Sequence, residues 1–177
     1  MEERLTTAAY LRLPESMRPM ELVYGVVREP PAPRYGHQSI VTRLTRYLDT
    51  HVSAHGLGEV CVSPVDVVLD EPNALVVQPD IVFVARERRH IIRDRIWGAP
   101  DLVVEVLSPR TERRDRTTKL EWYMRYGVRE CWLVEPNAAF IEVVQLPSGD
   151  RTLYYGAMVA RSAVLAQWDL PTAHLFE

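Results

Sequence analysis

The chain has 177 residues, 47% of them hydrophobic and 25% charged, the profile of a single globular domain spanning 1–177 with enough apolar side chains for a real core. A formal charge of −3 argues against nonspecific coating of nucleic acid, and no apolar stretch approaches the length that crosses a bilayer. The opening Met1-Glu-Glu-Arg-Leu-Thr lacks the basic and apolar regions of a secretory signal, so a cytoplasmic protein without a membrane partner is expected.

In chain order, Thr6 to Leu13 reads as a short helix capped by Thr6 or Thr7 and stopped by Pro14. Glu21 to Arg28 reads as a strand, and Pro30-Pro-Ala-Pro33 as a connector that cannot join a ladder. From Tyr35 to His55, Ile40, Val41, Leu44, Leu48 and Val52 recur at three- and four-residue spacing, the buried stripe of an amphipathic helix closed near Gly56. Val60 to Leu69 and Leu75 to Val84 are β-branched runs around the turn-forming Asp70-Glu-Pro-Asn73 and predict an antiparallel hairpin. An irregular basic loop leads to Pro100. Leu102 to Leu107 is apolar on both faces except at Glu105, as a central strand is, and Ser108-Pro109 ends it. Asp115 is the expected cap of a helix running to Tyr126 and stopped by Gly127. Arg129 to Glu135 is a strand, and Phe140 to Gln145 with Arg151 to Gly156 form a closing hairpin. Cys61 and Cys131 sit singly in strand-like runs and read as small buried hydrophobes in a reducing compartment, with no zinc spacing.

Lys119 is the only lysine beside 20 arginines. Lysine supplies a compact ammonium that can hold an oxyanion or move a proton, where arginine supplies a permanent fork. From Arg86 to Lys119, nine Arg and one Lys stand against six acidic residues, a net +4 that leaves −7 for the rest of the chain. This span is either a solvated surface or a field for a phosphate.

A carboxylate in a central strand is costly without compensation, and Glu105 and Asp80 both interrupt strand-like runs. If their strands are neighbours, the carboxylates converge on a point that suits a hard cation such as Mg²⁺, for which Mn²⁺ can substitute. Lys119 lies four residues after Asp115, so it either pairs with that acid or extends toward the other two. Two acids, a lysine and a metal suit phosphodiester hydrolysis, with Arg110, Arg113, Arg114 and Arg116 available for substrate phosphates. No glycine-rich loop suggests a nucleoside triphosphatase. Trp122, Tyr123, Tyr126 and Trp132 read as packing residues, and Asp66 is a strand acid with no obvious partner.

The ordered set Glu21-Leu-Val-Tyr-Gly25, His37, Gln78-Pro-Asp80, Pro100-Asp-Leu-Val-Val-Glu-Val-Leu-Ser-Pro109, Asp115 and Lys119, and Tyr126-Gly-Val-Arg-Glu-Cys-Trp-Leu-Val-Glu-Pro136 resembles the Uma family of putative restriction endonucleases, within the PD-(D/E)XK superfamily. The resemblance runs from about Thr6 to Leu175-Phe176. It implies an α/β, restriction-endonuclease-like core, a mixed β-sheet flanked by helices. It also implies Asp80 and Glu105 as metal ligands, with the Val106 backbone carbonyl as a third. The lysine usual two residues after the glutamate is replaced by Leu107, and the resemblance assigns its role to Lys119 on the next helix. Glu21 and His37 match family positions as well. Glu21 either reaches the metal or pairs with an arginine, and His37 is a proton carrier, a phosphate contact or a satisfied core residue.

The resulting expectation is a Mg²⁺-dependent endonuclease acting on DNA, in which Lys119 activates water or stabilises the transition state. A homodimer is expected because small nucleases that cut both strands often act as symmetric pairs. The alternatives are a noncatalytic nucleic-acid-binding or regulatory protein on the same fold, and a metal phosphoesterase for small substrates.

Overall fold

The computed structural model describes residues 4–14 and 18–177. Met1, Glu2 and Glu3, weighed above as the start of a leader, lie outside the described residues. Helix α1 (Thr7–Tyr10) begins at Thr6, whose hydroxyl accepts a bond from the Ala9 N–H. The stretch from Glu21 to Arg28 is two strands, β1 (Glu21–Val23) and β2 (Val26–Arg28), rather than one. Tyr24 and Gly25 between them take φ of +49° and +87°, the paired positive values of a two-residue turn that follows strand twist. Helix α2 (Tyr35–His55) buries the five residues of the expected stripe and ends as Gly56 turns left-handed.

The two β-branched runs pair antiparallel, but not as a single hairpin. Pro64 and Pro79 each cut a run in two, because a proline has no N–H for the ladder. The outer pieces, β3 (Gly58–Val62) and β6 (Ile81–Ala85), pair in one sheet, and the inner pieces, β4 (Val67–Asp70) and β5 (Leu75–Val77), pair in another. The basic loop before Pro100 contains a 3-10 turn (Arg86–Ile91) and a short strand, β7 (Ile96–Trp97), parallel to β4. Next come β8 (Leu102–Val106), β9 (Glu130–Glu135), β10 (Phe140–Gln145) and β11 (Asp150–Tyr155). The five-stranded sheet has the order β2-β1-β5-β4-β7 and the six-stranded mixed sheet β11-β10-β9-β8-β6-β3.

Alternation along the strands stacks these elements into layers. Ile81, Phe83, Leu102, Val104 and Trp132 meet the α2 stripe on one face of the larger sheet. Val82, Val84, Val103, Cys131 and Leu133 project from its other face toward the smaller sheet and the helix after β8. The far face of the smaller sheet, with Leu22, Val68 and Val76, is covered by Tyr10 of α1.

That helix starts earlier than Asp115. The Ser108 carbonyl accepts the N–H groups of Thr111 and Glu112, and α3 (Glu112–Arg114), a π-helical turn (Asp115–Lys119) and α4 (Leu120–Tyr126) follow without a break. Asp115 is therefore inside the helix and buried, not its cap. Cys131 is buried as expected, whereas Cys61 is exposed because β3 is an edge strand. No helix among the described residues is long and apolar enough to cross a membrane.

Candidate active site

Strands β6 and β8 are antiparallel with Ile81 opposite Val104, so one step further along that register brings Asp80 opposite Glu105. Residues so opposed share a face, with Cβ atoms about 5 Å apart. Their face is that of Val82 and Val103, toward the α3–α4 helix. Asp80 stands just after Pro79, where the ladder is interrupted, and its Oδ2 accepts the Val106 N–H at 2.7 Å. The same oxygen lies 3.3 Å from His37 Nε2, in the first turn of α2.

Glu105 is 3% exposed in the middle of the larger sheet. Its Oε1 takes two donors: the Lys119 ammonium at 2.9 Å and the Tyr123 hydroxyl. Lys119 lies 3.1 Å from Glu21 Oε1 and 3.9 Å from Asp115 Oδ1, so it draws three carboxylates around one ammonium. The helix delivers Asp115, Lys119 and Tyr123 at intervals of four residues, two of them from the π turn. Such turns recur at functional sites because they re-aim side chains from an otherwise regular helix.

Glu21, on β1, is also buried. Its Oε1 accepts the Gln78 N–H at 3.2 Å, and Arg114 Nη2 lies 2.6 Å from its Oε2 as an ion pair that is not aligned as a hydrogen bond. Gln78 is spent on structure, accepting the Met20 N–H and donating to Asp66 Oδ1. Asp66 finds the partner its sequence did not reveal in Arg95, at 3.1 Å.

The electrostatics are lopsided. Four carboxylates, Glu21, Asp80, Glu105 and Asp115, face two permanent cations, Lys119 and Arg114. Burial raises the Glu105 pKa to about 8; Lys119 opposes the rise, and the charges of Asp115 and Asp80 add to it. Burial likewise raises Asp115. Burial alone would raise Glu21, but Lys119 and then Arg114 outweigh it and hold this carboxyl below its usual range. Lys119 is pulled down by burial and pushed further up by Glu105, Glu21 and Asp115, so it stays charged at any physiological pH. Burial disfavours the charged form of His37, yet the bond and charge of Asp80 raise its pKa.

A divalent cation would answer this excess of acid. Asp80 Oδ1 and Glu105 Oε2 have no donor among the described residues, and both side chains line one cleft of about 780 Å³. Among the described residues, no group of three or more His, Cys, Asp or Glu side chains is disposed to hold a metal by itself. Mg²⁺ does not require one, since it takes one or two carboxylates and fills its octahedron with water and substrate phosphate oxygens. The donor set fits such an ion.

Of the four arginines expected to meet substrate, Arg110 and Arg114 line the cleft and Arg113 and Arg116 do not. Arg116 is held by Glu112 at 3.0 Å and by Glu142, and its guanidinium sits over Phe140. Tyr123 is fully buried, as a packing residue is expected to be, and its hydroxyl also donates to Glu105, a contact that the sequence reading did not include. The available signal was its place one turn beyond Lys119, on the stripe of Asp115.

The chain is similar in fold to a crystal structure described as a putative nuclease belonging to DUF820 from Anabaena variabilis. The identity is 18%, the TM-score 0.82, and 97% of each chain is covered. The shared architecture is the restriction-endonuclease-like α/β fold. No curated protein matches the chain. A family model does match over residues 7–173, and the chain accordingly belongs to the Uma2 family, described as "Putative restriction endonuclease".

Proposed function

We propose that this chain is a Mg²⁺-dependent endonuclease that hydrolyses DNA phosphodiester bonds, with Asp80, Glu105 and the Val106 carbonyl as metal ligands and Mn²⁺ as an effective substitute. The observation that carries the reading is the opposition of Asp80 and Glu105 across β6 and β8, beside a buried lysine and in a cleft where carboxyl groups outnumber the cations paired with them. Membership of a family described as "Putative restriction endonuclease" supports the choice of nucleic acid over a small phosphate ester.

The cation, when bound, would neutralise phosphate charge and lower the pKa of a water molecule. The chain's own residues do the rest. Lys119 acts as a fixed charge rather than a base, because its raised pKa keeps it protonated. Two of its three N–H donors are engaged by Glu105 and Glu21, which leaves one for a phosphoryl oxygen as charge builds in the transition state. Transition-state stabilisation is thus favoured over water activation for this residue. Arg110 and Arg114 border the same cleft and supply guanidinium contacts to the phosphate chain. As the water oxygen gives up a proton to solvent and bonds to phosphorus and the ester P–O bond breaks, the departing oxygen needs a proton. His37, whose pKa Asp80 raises from its ordinary value near neutrality, is the group we assign to supply it. Two such sites in a homodimer would cut both strands, and a cytoplasmic location suits this role.

The test is divalent-dependent cleavage of plasmid and oligonucleotide DNA by the wild type, Asp80→Ala and Lys119→Ala. Cleavage by the wild type alone supports the proposal. Equal behaviour of all three overturns it.

A further inference from the structure

Five of the nine arginines in the span that the sequence left open between a solvated surface and a phosphate field are engaged by carboxylates. Arg88 pairs with Asp101, Arg89 with Glu59, Arg95 with Asp66, Arg114 with Glu21, and Arg116 with Glu112 and Glu142. Arg110 makes no ion pair among the described residues and stays available at the cleft, and further charge comes from outside this span. Beside the cleft it comes from α2: among the described residues, Arg34, Arg43 and Arg46 make no ion pair, although Arg43 donates to the Leu175 carbonyl at 2.5 Å.

The outward side of α2 carries a shallow depression of about 350 Å³ lined by Tyr35, Gln38, Ser39, Thr42, Arg43 and Arg46. Gln38 and Thr42 also line the catalytic cleft, so the two hollows adjoin. Residues 35, 38, 42 and 46 follow the three- and four-residue spacing of a single helix face. That face contains hydroxyls, amides and guanidinium groups and not one carboxylate, in a chain whose total charge is −3. At its cleft end the Tyr35 ring is 89% exposed, an aromatic side chain with no packing role. At a rise of 1.5 Å per residue, the strip from Tyr35 to Arg46 is about 16 Å long, which matches roughly five nucleotides of a strand at about 3.4 Å each.

We infer that this face of α2 is a binding track for the phosphate backbone of the nucleic acid, carrying the strand away from the scissile phosphate. The inference rests on the nuclease reading and adds the surface that holds the substrate. Arg43 and Arg46 meet phosphates, Thr42 and Gln38 donate to them, and Tyr35 stacks on a base or sugar where the strand leaves the cleft. None of these groups reads base edges, so the track contributes affinity without sequence preference.

The experiment measures binding of fluorescein-labelled duplex and single-stranded oligonucleotides by anisotropy without divalent cation, over a series of salt concentrations, using the full chain. The variants are Arg46→Gln, Arg46→Glu and Tyr35→Ala, all at exposed positions where folding is undisturbed. Arg93→Gln, at an exposed arginine outside both hollows, is the control. Arg46→Gln is expected to make the log–log salt slope shallower by about one, and Arg46→Glu to weaken binding further. Tyr35→Ala should lower affinity with the slope unchanged. In cleavage assays these variants should raise KM at constant kcat. If the wild type cuts DNA while Arg46→Glu and Tyr35→Ala bind as it does, the track is overturned and the nuclease reading stands. If Arg93→Gln weakens binding as much as Arg46→Gln, net charge is responsible and the track is again overturned. A wild type that neither binds nor cuts nucleic acid removes the nuclease reading itself.

Discussion

The Tyr123 hydroxyl donates to Glu105 Oε1, the oxygen that also takes the Lys119 ammonium, so the helix holds one oxygen of this carboxylate and leaves Oε2 without a donor among the described residues. Partners that orient a ligand are worth 10–100-fold in metal affinity. Tyr123→Phe keeps the ring and removes the donor. It is expected to weaken Mg²⁺ or Mn²⁺ binding about tenfold by titration calorimetry, and to cost about 1.5–3 kcal/mol of stability for the lost bond to a charged group. Unchanged metal affinity with lowered stability would reduce Tyr123 to a packing residue.

Lys119 carries the buried ion pairs and, in the proposed function, a catalytic charge, and two substitutions separate the two parts. Lys119→Met leaves Glu21, Glu105 and Asp115 buried without their shared cation, and should destabilise the fold by about 3–5 kcal/mol in chemical denaturation. Adding Glu21→Gln removes one of the stranded charges and should recover part of that loss. Cleavage should not return in the double variant, because no ammonium faces the phosphate. Recovered cleavage would show that the lysine serves the fold alone.

The same residues show what was legible in the sequence. The stripe of α2 and the central strand around Glu105 were readable because periodicity and burial agree there. The pairing of Asp80 with Glu105 was legible only as a condition, since register is a nonlocal property. The split of the β-branched runs into two sheets could be suspected at Pro64 and Pro79, but which piece joins which sheet depends on packing across the molecule. The π turn has no sequence signature, so the sequence reads Asp115 as a cap where the folded chain buries it inside the helix. The sequence leaves the basic span open between a solvated surface and a phosphate field, because ion pairs such as Arg116 with Glu142, 26 residues apart, exist only in the folded chain.

Glu105 ties stability to pH. Its pKa in the folded chain is raised to about 8 from an ordinary 4.5, first by burial and then by Asp115 and Asp80 against the pull of Lys119. A raised pKa means that the protonated carboxyl stabilises the fold. That contribution is complete below about pH 4.5 and is lost as pH climbs through about 8, with Asp115 acting in the same direction. Glu21, held below its usual range, works the opposite way and loses its contribution only as pH falls into the acid range. Without divalent cation, Tm should therefore fall between pH 6 and 8.5, and Glu105→Gln should flatten that fall. Added Mg²⁺ should raise the wild-type Tm more at pH 8 than at pH 6, because it binds the ionised carboxylate. An equal increment at both values would place the metal away from Glu105.

Arg110 and Arg116 stand six residues apart and should behave as opposites. Arg110 is exposed at the cleft and has no ion pair among the described residues, whereas Arg116 is bound to Glu112 and Glu142 and stacked over Phe140. Replacing Arg110 by Ala removes a charge that only a ligand would meet. It should leave Tm unchanged, weaken oligonucleotide binding, and make the salt slope shallower by about one. Arg116→Ala takes a partner from the buried Glu142, which keeps Arg151 at 3.3 Å, and should cost about 1 kcal/mol while leaving the salt slope as it was. Measured together, the pair decides whether charges in this segment work for the substrate or for the fold. If Arg116→Ala lowers the slope and Arg110→Ala does not, the strand crosses the β10 side of the helix, and the substrate path proposed here runs in the wrong direction.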